Sequence, residues 1–188
     1  MINKYCAGRK LINPFFRHLD QWIWTQAAIK NIVIIGLLVS AAQTPATAFQ
    51  AASGVVTRVI DGDTLWVKTG SDRALLKVRI HGVDAPEICQ AGGAQARDAL
   101  KRQVFGQRIT LNIRSRDVYG RAVASVYLQD IDMARWLVVN GHAWVYSYRG
   151  QKAKYADELA QAQSKRRGLF NYLAQEPRQF RKRHGRCY

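Results

Sequence analysis

Three stretches between residues 50 and 85 alternate apolar and polar side chains, and turn-forming residues separate them. The stretches are residues 54–60, 64–68 and 73–83. β-Branched residues and a period of two are typical of strands. Asp61-Gly62 is a strong turn signal, and residues 70–72 form a second one. The pattern predicts a three-stranded meander, preceded by a linker of small residues at 49–53.

Helical spacing follows the meander. Apolar residues recur every four positions within residues 94–105, and Gly106 suits the position just after a helix. Residues 109–113 and 123–128 alternate again, so they predict a fourth and a fifth strand.

The remaining part of the chain predicts two more helices and a basic end. Asp132 is placed to cap a helix that runs through Asn140, and residues 154–166 have one apolar face. We expect the apolar and aromatic residues 169–173 to pack back on the body. Residues 174–188 form a basic tail, which we expect to be mobile and to attract phosphate nonspecifically. A merely solvated charged end is the alternative.

The order of these elements indicates a fold class. Five strands with a helix between the third and the fourth predict an α+β fold with about three α-helices. The strands would form a small closed barrel of the oligonucleotide-binding (OB) type. Such barrels bind ligands on one face and on the loops that flank it.

Composition adds a strong basic balance. The chain has 188 residues, a formal net charge of +16 and a hydrophobic fraction of 48%. That fraction is ample for a core and argues against wholesale disorder. The charge predicts attraction to a polyanion, which could be nucleic acid, acidic lipid or a cell-surface polymer. Charge alone does not choose among them.

Residues 1–48 have the pattern of a secretory signal peptide. A basic region is followed by a short apolar run at 32–42, by Pro45 and by small residues ending at Ala48. The run is shorter than the ~20 residues that a membrane-spanning helix needs. We expect cleavage after Ala48 and a secreted, periplasmic or cell-envelope protein. A buried core helix and an uncleaved membrane anchor are the alternatives.

Cleavage there would leave Cys89 and Cys187 as the remaining cysteines. In an oxidising compartment they could form one disulfide that ties the C-terminal tail to the loop after Glu87. Two unpaired thiols are the alternative, and the sequence does not supply the distance that decides between them.

Acidic residues cluster at two places and a mixed turn forms a third. These segments are Asp61-Gly62-Asp63-Thr64, Asp84-Ala85-Pro86-Glu87 and Asp117-Val118-Tyr119-Gly120-Arg121. Each one alone is an ordinary turn or loop. A helix–loop–helix calcium site is excluded, because Trp66 stands where such a loop needs glycine. Gly82 gives the backbone a place to bend, so that Arg79 and the loop carboxylates could face one site.

Taken together, the three segments and Arg79 resemble those of staphylococcal nuclease and its thermonuclease relatives. The resemblance runs from Gly54 to about Leu173, so residues 54–173 are expected to form a domain of that kind. It implies that Asp63 and Asp84 bind Ca²⁺ through their side chains and Ala85 through its carbonyl. Hard oxygen ligands of this type suit calcium.

The resemblance also implies catalytic roles. Glu87 would act as the general base, and Arg79 and Arg121 would clamp the phosphate. Tyr119 would line the nucleotide pocket, together with Tyr146 or Tyr148, of which Tyr146 is preferred. The family usually has threonine where this chain has Ala85, and its loop after the glutamate is longer.

The function implied is a secreted Ca²⁺-dependent endonuclease. It would cut single-stranded DNA and RNA to leave 3′-phosphate and 5′-hydroxyl ends, as a monomer without stable membrane association once cleaved. Two other functions are considered: a nucleic-acid binding barrel without the chemistry, and a basic structural protein of the cell envelope. Carboxylates beside phosphate favour the enzyme, because they would repel a polyanion unless a cation intervened.

Overall fold

The computed structural model describes residues 50–70, 74–146, 153–172 and 174–187. The strands are β1 (Gln50–Val59), β2 (Thr64–Thr69), β3 (Ala74–Ile80), β4 (Val83–Asp84), β5 (Arg108–Arg116), β6 (Ala122–Leu128), β7 (Ile131–Asp132) and β8 (Trp144–Val145). The helices are α1 (Gly93–Val104), α2 (Met133–Val139), α3 (Ala156–Ser164) and α4 (Pro177–His184), with a 3₁₀ turn at Gly168–Asn171.

Five strands close into a barrel. Their order is β3-β2-β1-β5-β6, all neighbours are antiparallel, and a parallel pairing of β3 with β6 completes the ring. Register shifts in β1 and β5 bend these long strands around the barrel. Alternate residues point inward, and fully buried ones include Leu65, Val78, Leu111 and Val126. The predicted α+β fold with a five-stranded OB-type barrel is confirmed.

Two of the helices, α1 and α2, begin and end close to the predicted residues. Helix α1 buries Ala96, Leu100 and Val104, and it follows β4 and precedes β5 in the chain. Asp132 caps α2, since its Oδ1 accepts hydrogen bonds from the backbone N–H groups of Ala134 (3.0 Å) and Arg135 (3.3 Å). These two helices agree with the sequence-based prediction to within one or two residues.

The linker prediction was wrong at residues 51–53. These small residues belong to β1 and pair with β5, for example Ala52 with Leu111. Strand pairing uses backbone N–H and C=O groups, so a run of small residues can extend a strand when a partner lies beside it. The local sequence carries no sign of that partner, which lies some sixty positions later in the chain.

The prediction of a mobile C-terminal tail was also wrong. Pro177 begins α4, a position that suits proline because the first N–H groups of a helix have no partner within it. A disulfide joins Cys89 to Cys187, whose Cα atoms are 5.8 Å apart, so the paired alternative is the correct one. Tertiary contacts therefore order a segment that its charge alone would leave in solvent.

Two sequence-based predictions fall on other parts of the chain. The signal peptide at residues 1–48 and the alternative pocket residue Tyr148 lie outside the described residues. Within the part of the chain that the structure describes, no helix combines the length and apolar character needed to cross a membrane.

Candidate functional site

The β1–β2 turn, the loop around β4 and the β5–β6 turn open onto one cleft of about 1020 Å³. Its walls include Asp61, Asp63, Arg79, Ala85, Glu87, Tyr119, Arg121, Tyr146, Arg181 and Arg186. Asp84 reaches the same place through ion pairs with Arg79 and Arg181. Among the described residues, the structure thus brings together all those that the sequence proposed for the site.

Backbone geometry explains how Arg79 and Asp84 come to face each other. Gly82 has φ +85°, a conformation that side-chain-bearing residues rarely adopt, and it turns the chain between β3 and β4. Strand β4 then pairs with β8, with Asp84 opposite Trp144. The bend that the sequence suggested at Gly82 is therefore present.

Arg79 joins the two aspartates. Its Nη1 donates to Asp63 Oδ1 at 2.5 Å, and its Nη2 donates to Asp84 Oδ1 at 2.9 Å. Burial alone would lower the pKa of Arg79, but the charges of Asp63 and Asp84 outweigh it and raise that pKa. Arg79 therefore remains a guanidinium cation between two carboxylates, which are only 2% and 4% exposed in Asp63 and Asp84.

Asp63 is held in a fixed orientation. Its Oδ2 accepts from the backbone N–H of Ala85 at 2.9 Å, and its Oδ1 accepts from the Thr64 hydroxyl at 3.0 Å. The preceding Gly62 allows this close approach, since a Cβ there would lie 2.6 Å from the Cβ of Ala85. The Asp-Gly-Asp-Thr segment therefore does more than reverse the chain, because it docks one carboxylate against the β4 loop.

Asp61 is a partly buried carboxyl group beside Asp63. Burial, followed by the charge of Asp63, raises the pKa of Asp61 to about 7. Its Oδ1 still accepts from the backbone N–H of Asp63 at 3.0 Å. A second carboxyl group therefore lies beside Asp63 at this end of the cleft, and burial disfavours its charged form.

Arg121 enters the cleft from the β5–β6 turn. Its Nε donates to Asp117 Oδ2 at 2.7 Å, and its Nη1 lies 3.4 Å from the Thr64 hydroxyl. Asp117 also accepts from two backbone N–H groups of its own turn. Burial would raise the pKa of Asp117, but these hydrogen bonds outweigh it and lower that pKa. The ionised carboxylate therefore anchors Arg121 through one nitrogen and leaves its terminal amino groups toward the cleft.

Glu87 has a partner that the sequence did not reveal. Arg181 of α4 donates through Nη1 to Glu87 Oε1 at 3.1 Å and to Asp84 Oδ1 at 3.1 Å, and through Nη2 to Asp84 Oδ2 at 2.8 Å. The possible Cys89–Cys187 disulfide was the one available signal, because it would bring the basic tail beside Glu87. No spacing in the tail distinguishes Arg181 from the basic residues around it.

The two tyrosines lie at the rim of the cleft. Tyr119 is 60% exposed and Tyr146 is 45% exposed. The Arg186 guanidinium carbon lies 4.1 Å from the centre of the Tyr119 ring, and that of Arg121 lies 5.4 Å away. The Tyr146 backbone N–H donates to the Gly82 carbonyl at 3.0 Å, which places this tyrosine beside the bend before β4.

The residues present fit a divalent cation by their donor chemistry. No group of three or more His, Cys, Asp or Glu side chains in the described ranges is already arranged around a metal position. Asp63 and Asp84 nevertheless bind one shared guanidinium, so their carboxylates converge on a single cation. Hard carboxylate and carbonyl oxygens in irregular arrangement are the ligands that Ca²⁺ accepts.

Comparisons with known proteins agree with this geometry. The family model described as "Staphylococcal nuclease homologue" matches residues 77–172. An "Uncharacterized endonuclease" of Escherichia coli O157:H7 is 34% identical over 119 residues, which cover 63% of this chain and 76% of that protein. A "Micrococcal nuclease" of Shigella flexneri is 33% identical over 141 residues, which cover 69% of this chain and 80% of that protein. The chain therefore belongs to the family of staphylococcal nuclease homologues, a family of nucleases.

Proposed function

We propose that this chain is a secreted, calcium-dependent nuclease that hydrolyses phosphodiester bonds of DNA and RNA to give 3′-phosphate and 5′-hydroxyl ends. One observation carries the proposal: the buried carboxylates of Asp63 and Asp84 both bind the guanidinium cation of Arg79, in the same cleft as Glu87 and Arg121. A barrel that only binds polyanions gains nothing from buried carboxylates beside its arginines.

The metal would be held by the side chains of Asp63 and Asp84 and by the carbonyl of Ala85. Bound calcium would act as a Lewis acid that polarises a phosphoryl oxygen. Thr64 and the Ala85 N–H hold the Asp63 carboxylate in a fixed orientation.

Glu87 would position a water molecule and accept its proton as that water attacks phosphorus. The bond from phosphorus to the 5′-oxygen then breaks, and the leaving oxygen takes up a proton to become the 5′-hydroxyl. Arg79 and Arg121 would donate to the non-bridging oxygens, where negative charge develops. A guanidinium has five N–H donors, so Arg121 can keep its bond to Asp117 while binding phosphate.

Substrate binding would use the excess of basic residues in the chain and the exposed ring of Tyr119, with Tyr146 beside it. Bases of single-stranded DNA or RNA stack on such rings without regard to sequence. We propose secretion because residues 1–48 have the signal-peptide pattern and because a disulfide suits an oxidising compartment. The active form is proposed to be a monomer.

The test is an incubation of the purified protein with single-stranded DNA and, separately, single-stranded RNA, with Ca²⁺ or with a chelator. We expect fragments in Ca²⁺ alone, with 5′ ends that a kinase labels without prior phosphatase treatment. Asp63→Asn should abolish cleavage, whereas Asp130→Asn should not, because Asp130 is exposed at the β6–β7 turn. Full cleavage in chelator would discard the metal, and binding without cleavage would leave only the binding barrel.

A further inference from the structure

Helix α4 lies across the cleft and follows the residues, 77–172, that the family model matches. Arg181 at its centre holds both oxygens of the Asp84 carboxylate, at 3.1 and 2.8 Å, and one oxygen of Glu87 at 3.1 Å. These are the carboxylates to which the proposed function assigns the metal and the general base. The Arg181 side chain therefore occupies both of these carboxylates.

The same segment covers the proposed stacking residue. The guanidinium of Arg186 lies against the Tyr119 ring, with 4.1 Å between its carbon and the ring centre. This distance is direct contact, so a base cannot stack on that face while Arg186 remains there. The segment thus contacts proposed site residues at two separate points of the cleft.

Contacts on both sides of α4 hold it in place. After the helix, Cys187 is bonded to Cys89, which stands two residues beyond Glu87. Before it, the Gln175 carbonyl accepts from the Gln90 side chain at 2.6 Å. We call residues 175–187 the strap. Because the disulfide is covalent, Arg181 stays at a high effective concentration beside its carboxylates.

Arg181 and a divalent cation would compete for the Asp84 carboxylate because both are positively charged. A guanidinium is always charged in a protein, and that of Arg181 lies 2.8 Å from Asp84 Oδ2 and 3.1 Å from Glu87 Oε1. A divalent cation on Asp84 would repel it and would need the same oxygen lone pairs. Any ligand that binds only when a contact is broken has its affinity lowered by the free energy of that contact.

We propose that the strap is a built-in competitor, in which Arg181 displaces Ca²⁺ from Asp84 and Arg186 displaces a nucleotide base from Tyr119 until both ligands are present. The inference rests on the proposed function. It predicts that the protein binds Ca²⁺ more weakly than the same carboxylates would if Arg181 were not bound to them. It also predicts that loosening the strap strengthens calcium binding.

Calorimetric titration of the purified full chain with Ca²⁺, without nucleic acid, tests the competition directly. Arg181→Gln should bind Ca²⁺ about tenfold more tightly than the wild type. Arg183→Gln is the matched control, because it removes the same charge from an exposed position on the same helix and corrects for long-range attraction. Equal or weaker calcium binding by Arg181→Gln relative to Arg183→Gln would overturn the proposal.

A second variant leaves Arg181 intact and removes the tether. Cys89→Ser/Cys187→Ser should bind Ca²⁺ several-fold more tightly than the wild type, because the effective concentration of Arg181 falls. Unchanged affinity would refute the tether, and this variant also serves if Arg181→Gln does not fold.

The titrations distinguish failure of the proposed calcium dependence from failure of the proposed competition by the strap. If neither the wild type nor any strap variant binds Ca²⁺, the calcium-dependent function fails and the strap proposal fails with it. If the wild type binds Ca²⁺ and Arg181→Gln matches Arg183→Gln, the strap proposal alone is wrong.

Discussion

Arg79 and Arg181 both reach the carboxylate of Asp84, but from parts of the molecule that are held in different ways. Arg79 lies in β3, paired with Thr64 of β2 on one side and with Val123 of β6 on the other. Arg181 lies on a helix of eight residues, a length that is not stable by itself in water. Its position depends on ion pairs, one disulfide, one side-chain hydrogen bond and the burial of Pro177.

The difference suits the two arginines to different proposed roles. A residue that two strand pairings position can move only if the barrel opens, which suits a group that must meet a transition state with fixed geometry. A residue that a few contacts position can leave without unfolding the domain. The barrel half of the site therefore suits the proposed chemistry, and the strap suits an exchange of partners.

The largest expected effect is on turnover and comes from the barrel half. Glu87→Gln should lower kcat by about 10²–10⁴-fold, because the amide cannot accept the proton of the attacking water. Steady-state cleavage of single-stranded DNA measures it. Glu158→Gln is the control, since it removes only an ion pair with exposed Arg135. Unchanged turnover in Glu87→Gln would remove Glu87 as the base.

Next comes the barrel core. Leu111→Ala should lower the free energy of unfolding by about 2–5 kcal/mol, because it leaves a cavity where β1, β5 and β6 meet. Urea denaturation measures the loss. Leu75→Ala removes the same atoms from a side chain that is 60% exposed, so it should change stability by no more than ~0.5 kcal/mol. Equal losses in the two variants would contradict the assignment of the core.

The smallest effect concerns the strap. Cys89→Ser/Cys187→Ser should lower the free energy of unfolding by about 2–4 kcal/mol, because the disulfide closes a loop of 98 positions in the unfolded chain. Circular dichroism should still show the native barrel. Loss of the fold in this variant would show that the strap is integral to the domain and would erase the contrast with the barrel.

The sequence was informative wherever a signal is local. Alternation predicted the strands of the barrel, Asp132 predicted the cap of α2, and Gly82 predicted the bend that brings Arg79 to Asp84. The acidic segments predicted the content of the site, because their residue types and order carry that information. These signals agree with the structure because the interactions involved span a few residues.

Local signals failed where the partner is distant in sequence. Residues 51–53 have the composition of a linker, yet they pair with β5. Arg181 is one of several basic residues near the C-terminus, yet it binds Asp84 and Glu87, which lie 97 and 94 positions earlier. Neither partner could be chosen from composition or spacing.

The amino-acid order by itself determined the α+β barrel, the basic charge and the identity of the acidic and arginine groups that meet in the cleft. Tertiary structure alone decided that Cys89 pairs with Cys187, that α4 lies at the cleft and that Arg181 binds the carboxylate of Asp84. The physical reason is range: strand and cap patterns arise within a few residues, whereas an ion pair forms wherever folding brings opposite charges together.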